Sequence, residues 1–330
     1  MRITVLGTGS WGGTIAQHLT GLGHSLTAWS KFPEEIQELK TTRTHPLVTG
    51  LIFSDSIRFT TNLREATKNA EVIVIAVPSH IVRSLMETLV GVEMNNLLYV
   101  NLAKGIENDS LMTMSQVIRE AGRIPPDRIV SVYGPSHAEE VAKRMPTTVV
   151  SACLSLDTAV SVQNIFSSDV LRVYTNTDIL GVELGGSLKN VIAIAAGIID
   201  GIGFGDNTKA ALLTRAMTEM TRLGVKMGAE EKTFSGLSGI GDLIVTCLSQ
   251  HSRNRYVGEE IGRGRKLDDI LADMKMVAEG VKSAKSVCQL RKKYDVSMPI
   301  SSAVYEVLFD GKDPKQAVTE LMTRDLIKEH

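Results

Sequence analysis

Hydrophobic residues in the first half of the chain occur in short runs, separated by amphipathic stretches of helical length. Seven runs are rich in Val, Ile, Leu or Thr, and most end in Gly, Pro, Ser or Asn: residues 2–7, 25–30, 72–78, 97–105, 128–135, 147–153 and 171–176. Several are apolar without alternation, as expected for strands that are covered on both faces. The pattern predicts β-α units that build a mostly parallel, doubly wound sheet.

The pattern changes after residue 177, where apolar residues fall at helical spacings and strand-like runs end. Thr177 and Asp178 provide a capping signal for a first long helix. We therefore expect an α/β domain over residues 1–180, followed by an all-α domain over residues 181–330. The longest apolar stretch, residues 191–199, is shorter than the roughly 18 residues that span a bilayer, so no stable membrane insertion is expected.

The charge balance excludes several partners. Lys and Arg together number 36 and Asp and Glu 37, so no net field favours nucleic acid, and an anionic ligand requires a local site. The three cysteines are far apart and lack a C-x-x-C pair, and the histidines lack metal-site spacing, so neither disulfides nor a metal is expected. The first predicted strand begins at residue 2 and leaves no room for a secretory leader. These features favour a cytoplasmic protein.

Three glycines follow the first predicted strand at a diagnostic spacing. Gly7, Gly9 and Gly12 form G-x-G-x-x-G, with an apolar helical stretch directly after them. The first glycine permits a tight turn, the second removes a side chain from the path of a pyrophosphate, and the third lets the helix approach the strand. In the context of a strand, a helix and further β-α units, the motif predicts a Rossmann dinucleotide site.

The end of the second strand bears on the type of dinucleotide. In NAD-selective sites an Asp or Glu about 20 residues after the glycines binds the adenosine ribose. Here the strand ends in Trp29, Ser30 and Lys31, without a carboxylate. A hydroxyl and an ammonium suit a 2′-phosphate, so we expect NADP(H) to be preferred while NAD(H) stays open. Lys31 as a solvated surface lysine is the alternative.

Ligands of open α/β sheets bind beyond the carboxyl ends of the strands, which draws attention to the residues that follow them. Lys104 follows one predicted strand, and Gly134 and Ser136 follow the next. Pro78 and Ser79 follow the strand at residues 72–78 in the same way. From its position alone, Lys104 could equally be a surface loop lysine.

The helical half contains two further candidate clusters. Lys189 lies in an apolar, small-residue helix, where it must reach solvent, pair with a carboxylate or lose its charge, and Asp242 is the partner we expect. Ser252, Arg253 and Asn254, with Arg255, stand at a predicted helix start, which is typical of an anion site. Snorkelling of Lys189 to solvent and a solvated basic turn are the alternatives.

Taken together, the motifs resemble the NAD(P)-dependent glycerol-3-phosphate dehydrogenases of the bacterial biosynthetic type. The resemblance covers nearly the whole chain, and the motifs stand in the family's order and spacing: "GTGSWGG", "NLAKGIE", "YGPSHAEEV", "ELGGSLKNVIAIAAGI", "GLSGIGDLIVTC", "SRNR" and "VAEGV".

The resemblance implies roles for individual residues. It makes Lys189 the catalytic general acid and base, with Asp242 beside it. The substrate is held by Lys104, Gly134, Ser136, Lys189, Asp242, Ser252, Arg253 and Asn254. The cofactor is bound by Gly7, Gly9, Ser10, Trp11, Gly12, Lys31, Lys104, Ala138, Arg253, Val277 and Glu279. The family more often has Arg at position 31.

The implied reaction is reduction of dihydroxyacetone phosphate to sn-glycerol 3-phosphate, which supplies glycerophospholipid synthesis. One alternative is a dehydrogenase of the same two-domain plan for a 2-oxo or 3-hydroxy carboxylic acid, such as a ketopantoate reductase. Another is a non-catalytic NADPH sensor, because the fold alone does not determine the function. The apolar helical half is compatible with a homodimer and equally with a contact between domains.

Overall fold

The alternating first half of the chain folds into a sheet with helices on both faces, in a computed structural model that describes residues 1–90, 97–274, 276–326 and 328–329. The strands are β1 (Arg2–Leu6), β2 (Ser25–Trp29), β3 (Arg58–Thr60), β4 (Val72–Ile75), β5 (Leu98–Asn101), β6 (Ile129–Tyr133), β7 (Thr147–Ala152) and β8 (Leu171–Asn176). The helices between them are α1 (Ser10–Gly21), α2 (Pro33–Thr42), α3 (Leu63–Thr67), α4 (Val82–Leu89), α5 (Met114–Gly122), α6 (Ala138–Ala142) and α7 (Leu156–Phe166).

The eight strands form one sheet in the order β3-β2-β1-β4-β5-β6-β7-β8. All neighbours are parallel except β6 and β7, where Tyr133 lies opposite Val150 in an antiparallel pair. The seven predicted strands and the mostly parallel α/β fold are confirmed. The sequence did not predict β3, because three residues at the sheet edge are too short to show a pattern.

The strand order reverses at β1, which lies between β2 and β4. In an open α/β sheet the crevice for a ligand forms at such a point, beyond the carboxyl ends of the strands. The glycine loop leaves β1 at this position, and the Gly7 N–H donates a hydrogen bond to the Trp29 carbonyl at 2.8 Å. The fold therefore places the predicted dinucleotide motif at the edge where ligands bind.

The rest of the chain is helical, as predicted. Asp178 caps the first helix by accepting the Gly181 N–H at 2.9 Å, while its second carboxylate oxygen accepts from Thr233 and the Glu230 N–H. The helices are α8 (Ile179–Ile202), α9 (Asp206–Met227), α10 (Glu231–Phe234), α11 (Asp242–Leu248), α12 (Arg253–Gly262), α13 (Leu267–Asp273), α14 (Glu279–Lys293), α15 (Pro299–Phe309) and α16 (Pro314–Met322).

Helix α8 forms the core of the helical half. By length and composition its 24 residues could cross a membrane, with a mean hydropathy of 1.5 over the most apolar window, yet that window is entirely buried in the fold. The helix is much longer than the apolar stretch at residues 191–199 indicated, because small residues and the charged pair Glu183 and Lys189 interrupt its hydrophobic pattern. Its apolar character is explained by the helices that cover it.

Helices α8 and α12 cross with their backbones in direct contact, through a seam of four glycines that we call the glycine seam: Gly197, Gly201, Gly258 and Gly262. A Cβ atom built at Gly197 would lie 1.9 Å from the Arg255 carbonyl oxygen, and one at Gly258 would lie 1.9 Å from that of Ile194. No side chain fits in this contact, so only glycine permits it.

Candidate active site

The glycine loop has the geometry that a dinucleotide requires. Gly7 has a φ of +110°, and a Cβ there would lie 2.6 Å from the Ala76 carbonyl oxygen. A Cβ at Gly12 would lie 2.1 Å from the Gly7 carbonyl oxygen, so this glycine allows α1 to pack against the loop. By contrast, a Cβ at Gly9 would meet no described atom within 4 Å. Gly7 thus permits the tight turn, Gly12 permits the close packing of the helix, and Gly9 leaves open space for a ligand. These residues fit a pyrophosphate at the start of α1.

Two predicted cofactor residues lie in the first turn of α1. Ser10 reaches across to the helical half, where its hydroxyl contacts the Met276 sulfur at 3.6 Å. Trp11 is partly buried against the apolar core below the sheet. Met276 directly precedes Val277, a third predicted cofactor residue, so these predictions converge on one side of the crevice.

The end of β2 carries a carboxylate that sequence reasoning missed. Glu35, in the first turn of α2, accepts hydrogen bonds from the Thr8 hydroxyl at 2.6 Å and the Ser30 hydroxyl at 2.5 Å. Lys31 is exposed, with its ammonium 4.9 Å from the centre of the Phe32 ring. The strand itself ends without a carboxylate, and α2 folds back over the strand end and brings Glu35 to it.

A cluster of three charged residues lies beyond the ends of β5 and β6. Lys189 from α8 donates to one oxygen of Asp242, at the start of α11, and Lys104 donates to the other at 2.6 Å. Lys104 also donates to the Gly134 carbonyl at 3.2 Å. The predicted pairing of Lys189 with Asp242 is thus present, and Lys104 is part of it rather than a surface lysine.

Burial determines the electrostatics of this cluster. Lys189 and Asp242 are only 6% and 1% exposed. Burial lowers the pKa of Lys189 to about 7; the Asp242 carboxylate opposes this shift, whereas the charge of Lys104 adds to it. When both lysines are protonated, one positive charge is left uncompensated by Asp242. An ammonium of this acidity can donate a proton to a developing oxyanion near neutral pH.

Thr246 completes the surroundings of the lysine. Its hydroxyl accepts a hydrogen bond from Lys189 at 2.7 Å and donates one to the Asp242 carbonyl at 2.6 Å, one helical turn before it. Nothing in the sequence singles out this residue, because a threonine in an apolar helix commonly bonds to the preceding turn. Its distance of four residues from Asp242 was the only available signal.

A second buried carboxylate, Glu183, lies near this cluster and organises the strand ends that carry it. Glu183, fully buried on α8, accepts from Ser131 at 2.6 Å, from the Ser115 hydroxyl at 2.6 Å and from Asn101 at 3.2 Å. Burial raises the pKa of Glu183, which these donors partly oppose. Asn101 and Tyr133 then hold the Ala103 carbonyl, next to Lys104. Sequence reasoning did not single out this network.

The loop after β6 contains the predicted residues Gly134, Ser136 and Ala138. Gly134 has a φ of +148°, and a Cβ there would lie 2.9 Å from the Val149 Cα atom, so the antiparallel strand β7 requires glycine. The Ser136 hydroxyl donates to the Gly134 carbonyl at 2.9 Å, the same oxygen that Lys104 contacts. Ala138 is buried at the first position of α6. Burial lowers the pKa of the neighbouring His137, whose ring lies 5.9 Å from that of His251.

The predicted anion turn forms the N-terminus of α12. Ser252 caps the helix by accepting the Arg255 N–H at 3.2 Å, and the Asn254 amide bridges Asn190 at 3.0 Å and the Gly280 N–H at 2.9 Å. Asn190 is the residue after Lys189 on α8, so its hydrogen bond to Asn254 places this turn close to the lysine.

The two arginines of the turn differ. Arg253 is exposed and has no hydrogen bond or ion pair with any residue in the described part of the chain. Desolvation of its guanidinium nevertheless lowers its pKa, which the charges of Glu279 and Glu139 oppose. Arg255 pairs with Asp200 at 2.7 Å and with Glu259 at 3.3 Å, and therefore belongs to the packing between α8 and α12. Only Arg253 is available for an anion.

The remaining predicted residues lie on the segment before α14 and at its start. Val277 is 36% exposed. Glu279 accepts hydrogen bonds from both the N–H and the hydroxyl of Ser79, the residue that follows the β4 strand and Pro78. Among the residues that the structure describes, no cluster of His, Cys, Asp and Glu side chains has the arrangement of a metal site.

Comparisons with known proteins identify the family of the chain. The family model described as the NAD-dependent glycerol-3-phosphate dehydrogenase N-terminus matches residues 2–159, and that of its C-terminus matches residues 178–319. A protein of Chlorobium limicola named glycerol-3-phosphate dehydrogenase (NAD(P)+) is 53% identical over 333 residues, which cover 100% of this chain and 99% of that protein. A protein of Prosthecochloris aestuarii with the same name is 52% identical, with 98% of both chains covered.

Solved structures give the same result. The glycerol-3-phosphate dehydrogenase of Coxiella burnetii superposes with a TM-score of 0.93 at 32% identity, covering 98% of this chain and 99% of that one. A ketopantoate reductase of Ralstonia eutropha reaches a TM-score of 0.61 at 13% identity, covering 96% of this chain and 100% of that one, which shows a shared fold alone. The chain therefore belongs to the NAD-dependent glycerol-3-phosphate dehydrogenase family.

Proposed function

We propose that the chain catalyses the NAD(P)H-dependent reduction of dihydroxyacetone phosphate to sn-glycerol 3-phosphate, in a reversible reaction that supplies glycerophospholipid synthesis. The observation that carries the proposal is the buried Lys189 ammonium, held by Asp242 and Thr246 beside Lys104 at the carboxyl edge of the sheet. A carbonyl reduction requires a proton donor beside the developing oxyanion, and a lysine with a lowered pKa can supply it.

The phosphate of the substrate is assigned to the turn of Ser252, Arg253 and Asn254. The free guanidinium of Arg253 supplies the charge, and the N-terminus of α12 supplies N–H groups and the positive end of its dipole. Because Asn254 is bonded to Asn190, next to Lys189, a phosphate on this turn brings the adjoining carbons of a short substrate towards the lysine.

The proton chemistry is assigned to Lys189. When bound, the dinucleotide supplies the hydride that adds to the C2 carbon. Lys189 holds a proton at Nζ and donates it to the C2 oxygen as negative charge develops there, and in the reverse direction its neutral amine accepts the proton. Asp242 orients the ammonium through a hydrogen bond, and Lys104 supplies the remaining positive charge beside the oxyanion.

The cofactor is assigned to the glycine loop with Ser10, Trp11, Lys31, Ala138, Val277 and Glu279, and Arg253 is placed between both ligands. NADPH is our proposed preference over NADH, because the exposed Lys31 ammonium at the end of β2 suits a 2′-phosphate. The domain boundary near residue 180 stays a proposal, supported by the end of β8 at Asn176 and the start of α8 at Ile179.

A ketopantoate reductase and a non-catalytic sensor are not favoured, because the relatives at half identity or more carry the glycerol-3-phosphate dehydrogenase name. We further propose a cytoplasmic location, supported by three cysteines that are all free thiols. A homodimer is also proposed, supported by exposed apolar residues of the helical half such as Phe204 and Val225, and sedimentation measures it directly.

Initial rates of NADPH oxidation test the reaction. Dihydroxyacetone phosphate is compared with unphosphorylated dihydroxyacetone and with ketopantoate. We expect a fast rate that depends on the phosphate. A faster rate with ketopantoate would favour the carboxylic-acid dehydrogenase, and tight NADPH binding with no rate on any substrate would favour the sensor.

A further inference from the structure

Glu35 stands where the fold brings the glycine loop and the end of β2 together. One carboxylate oxygen accepts from Thr8, between the first two glycines of the motif, and the other accepts from Ser30, directly after β2. In this type of fold these two segments border the adenosine ribose of the dinucleotide. The Gly7 hydrogen bond to the Trp29 carbonyl holds the same two segments together from the backbone side.

We propose that Glu35 is a determinant of cofactor specificity: its carboxylate, held by Thr8 and Ser30 at the ribose side of the crevice, disfavours a 2′-phosphate and retains the use of NADH. The inference rests on the proposed dinucleotide-dependent function.

The hydrogen bonds of Glu35 leave it able to act on a ligand. A carboxylate has about four acceptor positions, and Thr8 and Ser30 occupy one on each oxygen. The free positions suit a 2′-hydroxyl, which donates a hydrogen bond. A 2′-phosphate donates little at neutral pH and adds negative charge, so the carboxylate repels it.

Lys31 opposes Glu35 at the same ribose. Both residues adjoin Ser30, one as its neighbour in sequence and the other through the hydroxyl. The Lys31 ammonium attracts a 2′-phosphate, whereas the Glu35 carboxylate attracts a 2′-hydroxyl. Their balance predicts an enzyme that accepts both cofactors, with a preference for NADPH that is smaller than Lys31 alone would give.

The test measures recognition of the adenosine ribose separately from catalysis. Dissociation constants of 2′,5′-ADP and of 5′-AMP are measured by calorimetry, together with kcat/KM for NADPH and NADH. We expect Glu35→Gln, which is similar in shape and can still bond to both hydroxyls, to raise the preference for the 2′-phosphate about tenfold in both measurements. The change should appear in binding and KM rather than in kcat.

Two variants control for general effects. Glu34→Gln removes the same charge from the neighbouring exposed position, which makes none of these contacts, and it should leave the preference within about twofold of the wild-type value. Ser30→Ala keeps the charge and the Thr8 hydrogen bond but removes one of the two bonds that hold the carboxylate, so it should raise the preference less than Glu35→Gln does, and it tests the proposal even if Glu35→Gln does not fold.

The outcomes are distinct. An unchanged 2′,5′-ADP to 5′-AMP ratio in Glu35→Gln, an equal rise in Glu34→Gln, or a fall in Ser30→Ala would overturn the proposal. Fragment binding does not depend on turnover, so a protein inactive on dihydroxyacetone phosphate still tests Glu35. Failure to bind either fragment would instead count against the dinucleotide site itself.

Discussion

The carboxylate of Glu279 accepts two hydrogen bonds from Ser79, one from its N–H at 3.0 Å and one from its hydroxyl at 2.6 Å. This contact joins the first turn of α14 to the residue that follows Pro78 at the end of β4. A Cβ at Gly105 would lie 2.5 Å from the Ser79 side chain, so the loop that carries Lys104 also presses on this contact. One carboxylate thus links the helical half to the crevice beside the glycine loop.

Ser79→Ala and Glu279→Ala are expected to weaken NADPH binding by acting on the same contact. Each variant should raise the dissociation constant of NADPH. The loss of binding free energy in the double variant should be smaller than the sum of the two single losses, by a coupling energy of about 1–2 kcal/mol. A double-mutant cycle by fluorescence titration measures this. Additive effects would mean that Glu279 acts on the cofactor independently of Ser79.

The lowered pKa of Lys189, about 7, predicts opposite pH dependences for the two reaction directions. Reduction requires the ammonium, so its kcat should fall as the pH rises through about 7, whereas oxidation requires the neutral amine and should rise over the same range. Thr246→Val removes a hydrogen bond that stabilises the ammonium. It should therefore lower the pKa of Lys189 and move the pH dependence of kcat to lower pH in both directions.

Lys189→Ala provides the matching control. It should lower kcat by roughly 10²–10⁴ and leave the dissociation constant of NADPH nearly unchanged. The same pH dependence in both directions, or near wild-type turnover of Lys189→Ala, would remove Lys189 from the proton transfer.

The glycine loop allows ligand binding and folding to be tested separately. Gly9→Ala should leave the melting temperature nearly unchanged and weaken NADPH binding strongly, because its methyl group meets no described atom and enters the path of the pyrophosphate. Gly12→Ala should lower both stability and binding, because its Cβ would collide with the Gly7 carbonyl. Gly21→Ala, at the far end of α1 and also free of contacts, is the control and should change neither. Normal NADPH affinity in Gly9→Ala would contradict this site for the pyrophosphate.

Removal of the buried Glu183 carboxylate should destabilise the fold. Glu183→Ala leaves the Ser115 and Ser131 hydroxyls without this acceptor and removes one acceptor of the Asn101 amide. We expect a loss of about 3 kcal/mol in the free energy of unfolding, with a smaller loss for Glu183→Gln. Urea denaturation measures both.

The pH dependence of these stabilities has a definite sign. Because the pKa of Glu183 is raised from its ordinary value of 4.5, the folded state binds the proton more tightly than the unfolded state. Its contribution is fully present below pH 4.5 and is lost as the pH rises through the folded pKa. Wild type should therefore lose stability relative to Glu183→Gln over that range, and a constant difference would contradict the raised pKa.

The sequence predicted the strands around the glycine loop and the pairing of Lys189 with Asp242, because these depend on local pattern and on the cost of burying a lone charge. It could not predict Glu35, since the return of α2 over the end of β2 depends on how the helix packs. Glu183 and Thr246 were missed for a related reason: a buried acid and a threonine in an apolar helix acquire their meaning only from donors and acceptors on other elements.

Arg255 is a residue that the sequence grouped with the anion turn although the structure uses it in helix packing. In the sequence it is indistinguishable from Arg253, two residues earlier in the same basic turn. The helical register separates them, since Arg255 pairs with Asp200 on α8 while Arg253 forms no ion pair with any described residue. Such a difference depends on which side of α12 meets its neighbour, and that neighbour lies more than 50 residues away in the chain.

The glycine seam has a consequence for the size of molecule that the crevice accepts. Lys189 lies two turns before the seam on α8, and Ser252 to Asn254 form the start of α12, one turn before it. Because the two backbones touch at Gly197 and Gly258, the backbone of Lys189 and the backbone of the Ser252 to Asn254 turn keep a fixed separation. With the phosphate on this turn and the carbonyl at Lys189, as proposed, a substrate with more carbons between the two would have to separate two helices to fit.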